Sequence, residues 1–359
     1  MDSGDDATRA EVVGSLLRSE EVVRAARRGN PADTAVLDDA AIDAIKLQEE
    51  IGLDVITDGE VRRTAWAQTP RFLDCFAAAK GRGALNWRGG SGGAGYPAVV
   101  RRVADVPRTD DMTAEYAFLV RYARTRTKFT MAAPSYHRRY WSPEHSGAVY
   151  RSCEEYLLEI RDYLREVLDK LVSLGCDYVQ LDAPNYGSLC DQDTRAAMTA
   201  EGRDPDTELA FDAELDASLF EGLSGVTSAL HICRGNGPGG AWHSTGGYGA
   251  ISRVLFPRLA FSRLLLEYDS ERAGSFEPLA DVRPGTVVVL GLLTTKADGL
   301  DDEEDVTDRI REATRFKPLA ELALSTQCGF ASVPSANPVT PDGQRAKLEM
   351  VVRLARHTW

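Results

Sequence analysis

The strongest constraint in this sequence is a rhythm in which short apolar runs, bounded by turn residues, recur between longer segments with helical spacing. The runs fall at residues 12–17, 53–57, 128–134, 177–182, 227–231, 263–267, 286–293 and 322–326. Between them, residues 37–51 set Leu37, Ala41, Ile45, Leu47 and Ile51 at helical spacing ahead of Gly52. Residues 149–174 carry a longer stripe from Tyr156 to Leu171, stopped by Gly175, and Gly is a natural helix stop. Further helices are expected near 207–223, 250–255, 302–315 and 343–356. Strand, helix and strand in quick succession imply parallel pairing, because a parallel neighbour is reached only through a crossover. About eight such runs predict the α/β class and a (β/α)8 TIM barrel with insertions, one domain over residues 1–359. A doubly wound sheet is the runner-up, but no G-x-G-x-x-G follows the first run.

Residues 80–112 break the rhythm with Gly89-Gly90-Ser91-Gly92-Gly93 and a charged stretch. They read as an insertion, with room for a small hairpin, and a lid over the site is preferred to a loose loop. Residues 1–10 begin with the acidic Met1-Asp2-Ser3-Gly4-Asp5-Asp6 and are expected to be flexible.

Charge narrows the functional classes. The formal net charge is −13 over 359 residues, which argues against a nucleic-acid footprint or a polybasic membrane patch. The local pairs Arg62-Arg63 and Arg138-Arg139 remain available to hold an anionic substrate. No secretory leader or membrane-length apolar run is apparent, and the six cysteines lack disulfide-framework spacing. Cytoplasmic localisation with mostly free thiols is the expectation; a homo-oligomer is compatible with the sequence.

In a barrel the C-terminal strand ends surround one mouth. Ser15, Glu60, Pro134, Asp182, His231, Glu267, Thr294 and Cys328 fall at such ends. His231 and Cys233, two apart on an extended segment, point the same way. With Glu267 and Cys328 they make an imidazole, two thiolates and a carboxylate, a set that zinc accepts in tetrahedral geometry. The plainer alternatives stay open: a buried Cys is usually a small hydrophobe, and a strand-end carboxylate often caps a loop.

Several motifs carry a resemblance. Val13-Gly14-Ser15, the run from Gly52 through Asp58-Gly59-Glu60, Gln180-Leu181-Asp182, His231-Ile232-Cys233-Arg234-Gly235-Asn236, Leu292-Leu293-Thr294-Thr295-Lys296 and Cys328-Gly329 resemble the cobalamin-independent methionine synthase family. The resemblance is closest to its short forms, which correspond to the C-terminal barrel alone, and it runs from about Val12 onward. It implies a TIM barrel with zinc held by His231, Cys233, Glu267 and Cys328. It also implies that Ser15, Glu60 and Asp182 contact the amino-acid part of a thiol such as homocysteine. Family members use methyl-tetrahydrofolate, in methionine biosynthesis, and relatives alkylate coenzyme M with epoxides.

The expected activity is therefore a zinc-dependent methyl or alkyl transfer to a thiol. Coordination makes a thiolate of a thiol whose free pKa is near 8.5, and Glu267, the one hard ligand, is the one expected to yield to the incoming sulfur. Adding a thiol to an epoxide is the second reading, and a non-catalytic zinc-binding barrel the third. The sequence also departs from the family: where its members carry a His near the seventh strand, this chain has Thr294-Thr295-Lys296. Lys296 is the candidate catalytic acid or anion clamp; His243 and His137 are others, and Trp141, Trp242 and Tyr248 offer stacking surface. The residues that bind the donor are not assigned.

Overall fold

The computed structural model describes residues 8–79, 87–88, 95–106, 112–333 and 337–359. Its centre is a ring of parallel strands: Ala10–Glu11, Val55–Ile56, a third in two pieces (Arg126–Thr127 and Phe129–Ala132), Tyr178–Asp182, Thr227–Ile232, Arg263–Glu267, Val287–Leu293 and Leu322–Thr326. Ala10 pairs with Leu324 of the eighth strand, and Glu11 pairs with Val55 of the second. The third strand binds the second through its first piece and the fourth through its second piece. Lys128 separates those pieces, and its N–H still reaches the Ile56 carbonyl at 3.0 Å. Eight staves thus make the ring, and the α/β barrel expected from the rhythm is what forms.

The helices pack outside, and local chemistry sets their limits. Thr34–Ile51 ends at Gly52, which takes φ 87°, a left-handed conformation that suits glycine. Cys153–Ser173 starts at Ser152, whose hydroxyl accepts the Glu155 N–H, and buries Tyr156, Leu157, Ile160, Leu164 and Leu171. Among the described residues no helix is long and apolar enough to cross a membrane.

The structure departs from the sequence reading in two places. The first strand is Ala10–Glu11, not residues 12–17. Beyond Glu11 the backbone leaves the ladder: Leu16 N–H bonds to Gly59 O, and Ser15 O accepts the Phe330 N–H at 2.8 Å, so this run ties loops together. Ahead of it, the amides of Arg9 and Ala10 both donate to Asp54; residues 1–7, most of the segment expected to be flexible, lie outside the described residues. A helix at Glu20–Arg28, capped by Ser19, was not expected, since it buries only Val22, Ala25 and Ala26. Within the insertion, Ala98–Val99 pairs antiparallel with Phe76–Ala77. The remainder of the lid expectation falls mostly outside the described residues.

Side-chain alternation divides the strands into two faces. Leu264 and Leu266 join the layer under the helices, whereas Leu265 joins Val13, Val55, Tyr178, Ala229, Val289 and Ala323 inside the ring. On the same inward face stand Arg263 and Glu267, and on the fifth strand His231 follows Ala229 inward. Below the apolar layer lies a charged floor. Glu11 accepts Lys128 Nζ (2.8 Å) and Tyr178 OH (2.7 Å) on one oxygen and Arg263 on the other (2.9 Å). Glu11, Lys128 and Arg263 have side chains 0% exposed. Above it is the mouth.

Candidate metal centre and its cavity

Three of the four expected ligands converge. His231, Cys233 and Cys328 are buried, with one ligand atom from each within 4.8 Å of the others. The two sulfurs stand 3.7 Å apart, far beyond the roughly 2.05 Å of a disulfide. His231 Nδ1 lies 3.3 Å from the Leu265 carbonyl, so Nδ1 carries the proton and Nε2 keeps a lone pair. Nε2 is buried without a hydrogen-bond partner. An orphaned imidazole nitrogen beside two thiols is costly as it stands. A soft divalent cation would satisfy all three atoms together.

The electrostatics agree. The Cys233 thiol is pushed well up, first by its bond with Cys328 and then by burial, because two adjacent sulfurs resist sharing negative charge. Burial lowers the His231 pKa, but Cys233, Asp182 and Glu267 reverse the net direction to upward. Surroundings that favour a proton on this ring also favour a cation beside it.

Glu267 is 0% exposed and adjoins this group without closing on it. Its oxygens accept the Arg234 N–H at 2.7 Å and the Arg272 guanidinium at 2.8 Å. Arg272 therefore balances the buried carboxylate. Around the sulfurs, Gly235 N–H donates to Cys233 Sγ at 3.2 Å. Asn236 ties the two cysteine loops together by donating to Gly329 O (2.8 Å) and Ser332 Oγ (3.0 Å).

The sulfurs face a cavity of about 330 Å³. One wall is acidic. Glu60 sits at φ 54°, the one described non-glycine residue with positive φ, and strain of this kind concentrates at functional positions. Thr130 Oγ1 donates to its carboxylate at 2.6 Å, and Arg63 stands 3.4 Å away. Gly14 makes this possible, since a Cβ there would lie 2.3 Å from Glu60 Oε1. Asp182 is pushed up to about 6 by burial, against the pull of His231. Lys128 donates to Gln180 Oε1 (2.7 Å), which turns the other end of that amide onto Asp182 (2.8 Å). The charged floor is thereby linked to the mouth. Ser15 also lines the cavity, its hydroxyl accepting the Ala331 N–H at 3.2 Å.

Other sequence candidates have different positions. Lys296 donates to Gly235 O (2.8 Å) and lies near Asn236 Oδ1 (3.4 Å), behind the Cys233 loop and outside the lining. His137 is buried against Ala133 O, and burial lowers it to about 4. Trp141, Trp242 and Tyr248 do not line the cavity; Tyr248 OH instead accepts the Glu267 N–H at 3.0 Å. His243 does line it, lowered to about 3 by burial and then by Arg139 and Lys296. The stacking surface comes from Trp66, Trp87, Tyr96 and Tyr136; the first three sit in loops and Tyr136 in the short 3-10 helix Pro134–Tyr140, where periodicity could not single them out. Asn236 lay inside a recognised motif without an assigned role.

Comparison with known proteins gives the same picture. No family model matches the chain. Two Bacillus subtilis proteins, the uncharacterized YxjH and YxjG, are 33% and 31% identical to it, each alignment covering 98% of this chain and 94% of the relative. A putative vitamin-B12 independent methionine synthase from Listeria monocytogenes superposes with TM-score 0.69 at 26% identity, over 98% of both chains. A B12-independent methionine synthase from Shewanella sp. W3-18-1, solved with selenomethionine, gives 0.68 at 22% identity, over 98% of this chain and 97% of that one. The barrel, its full-length agreement with the Listeria structure and the full-length relatives lead to one assignment: the chain belongs to the cobalamin-independent methionine synthase family.

Proposed function

We propose that this protein is a zinc-dependent alkyltransferase that moves a methyl group onto the sulfur of a thiol amino acid such as homocysteine. One observation carries the reading: His231 Nε2, Cys233 and Cys328 converge at a cavity whose wall holds two carboxylates. His231, Cys233 and Cys328 would hold the zinc, with Glu267 as the fourth, exchangeable group. Bound zinc supplies a lowered thiol pKa, so that the acceptor sulfur is nucleophilic at neutral pH.

The protein's own residues orient the acceptor. Glu60 and Asp182 suit its ammonium, and Ser15 its carboxylate. Trp66 and Tyr136, with ring centroids 4.5 Å apart, exclude water from the path between sulfur and alkyl carbon. Glu267 has a resting place when it is not a ligand, because Arg234 N–H and Arg272 already hold both oxygens. Two free, buried thiols suit a reducing compartment such as the cytoplasm.

The test is zinc-loaded protein with homocysteine and a panel of methyl-folates, methylated sulfur compounds and epoxides, read by mass spectrometry of the S-alkylated product. Transfer from a methyl donor is the expected outcome, and transfer from epoxides alone would move the protein to the second enzyme class. Zinc-loaded protein that alkylates nothing would leave a structural metal site. Asp182→Asn should raise KM for homocysteine by on the order of 10- to 100-fold, the scale of a lost charge-assisted hydrogen bond. It should leave KM for a thiol without an ammonium group nearly unchanged.

A further inference from the structure

The Glu60 carboxylate faces the cavity but is held from behind. Thr130 Oγ1 lies 2.6 Å from Glu60 Oε1 and 2.9 Å from Arg63 Nη1. A guanidinium can only donate, so the Thr130 hydroxyl accepts from Arg63 and its single proton goes to Glu60. The direction of this relay is thereby fixed, and it favours an ionised Glu60. Arg63 Nη1 stands 3.4 Å from the same oxygen. Both contacts fall on Oε1, and Oε2 has no hydrogen-bond partner among the described residues. Arg63 is itself clamped. Its Nη2 donates to Thr130 O (2.9 Å) and its Nε to Glu115 Oε2 (2.8 Å), while Gln68 Nε2 donates to the other Glu115 oxygen (3.0 Å). A planar fork tied down on both sides keeps one orientation. On the opposite flank, a Cβ on Gly14 would lie 2.3 Å from Glu60 Oε1, so the carboxylate is packed between Gly14 and Thr130. Thr130, Arg63 and Glu115 are not in the cavity lining and act only through Glu60.

We propose that Thr130 and Arg63 are positioning residues that set the selectivity for the acceptor: they pin Glu60 Oε1 and leave Oε2 for the ammonium group of a thiol amino acid. This rests on the acceptor reading proposed above and deepens it. A glutamate free to change rotamer loses that freedom on binding, and one already held in place does not, so the pinned side chain binds its cation more tightly. The same rigidity works against a thiol without an ammonium group. Such a ligand covers a fixed, ionised carboxylate and gives it no partner. The positive φ of Glu60, 54°, fits this role, since the backbone is held in an unfavourable region to bring the side chain against Thr130.

Homocysteine and γ-mercaptobutyrate differ only in the amino group, and calorimetric titration of both into zinc-loaded protein gives a selectivity ratio. Wild type should prefer homocysteine on the order of 10- to 100-fold. Thr130→Val, which keeps the shape and removes the hydroxyl, should lower that ratio on the order of 10-fold by weakening homocysteine alone. Thr130→Ser should restore it, and Gly14→Ala, which drives a methyl group into Oε1, should lower it as Thr130→Val does. Arg63→Lys keeps the charge but cannot hold Thr130 and Glu115 together; it should also lower the ratio, and it decides the matter if Thr130→Val fails to fold. A merely structural role for Thr130 would weaken both thiols equally, and that result would overturn the proposal. So would a wild-type ratio in Thr130→Val. In either case a wild-type preference for homocysteine, with zinc content intact, leaves the acceptor reading standing. No preference in wild type would overturn both.

Discussion

Cys233→Ser and Cys328→Ser proteins are each expected to fold and to purify with little or no zinc, while wild type carries about one ion per chain. The two sulfurs are 3.7 Å apart, so a single ion must engage both, and a serine hydroxyl is a poor substitute for thiolate at neutral pH. Loss of an outer partner of a zinc ligand lowers metal affinity by roughly 10- to 100-fold, and losing the ligand itself should exceed that. Alkyl transfer should fall with the zinc. Removal of metal from wild type by a chelator should reproduce the loss, with recovery on adding zinc back. Elemental analysis after dialysis and a competition titration against a chromophoric chelator measure both effects. Full zinc occupancy in either variant would remove that cysteine from the centre.

The second large effect lies at the other end of the barrel. Glu11→Gln leaves Lys128 and Arg263 buried, both 0% exposed, without their shared carboxylate. Breaking a buried ion pair from one side is destabilising by roughly 3–5 kcal/mol, a large part of the roughly 5–15 kcal/mol that holds a typical domain together. Burial raises the Glu11 pKa, but Lys128 and Arg263 outweigh it, and the carboxyl falls from 4.5 to about 2. The sign follows from that depression. The contribution is present above pH 4.5 and is lost as pH falls toward 2. A gap of that size corresponds to on the order of 3 kcal/mol. Denaturant melts between pH 7 and 2.5 should therefore show wild type losing its advantage over Glu11→Gln across the acid range. Replacing the whole cluster, with Glu11→Leu, Lys128→Met and Arg263→Met together, should recover part of the single variant's loss, since no unpaired charge remains. Parallel pH profiles for wild type and Glu11→Gln would contradict this account of the floor.

That floor also marks the limit of what the sequence discloses. Seven of the eight staves were legible because their inward and outward positions are both largely apolar, which gives continuous runs such as residues 287–293. The first was misplaced because its inward residue is Glu11, a charge that reads as a loop until Lys128 and Arg263 are seen to meet it. The helix Glu20–Arg28 escaped notice for a related reason, as it packs through alanines rather than a leucine stripe. At the mouth, strand alternation was enough to aim His231 and Cys233 together. Placing Cys328 against them required the ring to close, which pairs residues hundreds of positions apart. The Arg272 partner of Glu267 and the aromatic walls at Trp66 and Tyr136 arise where loops and short 3-10 helices cross. No period in the sequence encodes such crossings.

Zinc K-edge X-ray absorption on the loaded protein, recorded with and without homocysteine, tests the centre most directly. The account predicts two sulfur scatterers and one imidazole nitrogen, with an oxygen replaced by a third sulfur when the thiol is added. A spectrum without sulfur, or one that is unchanged at saturating thiol, would contradict it.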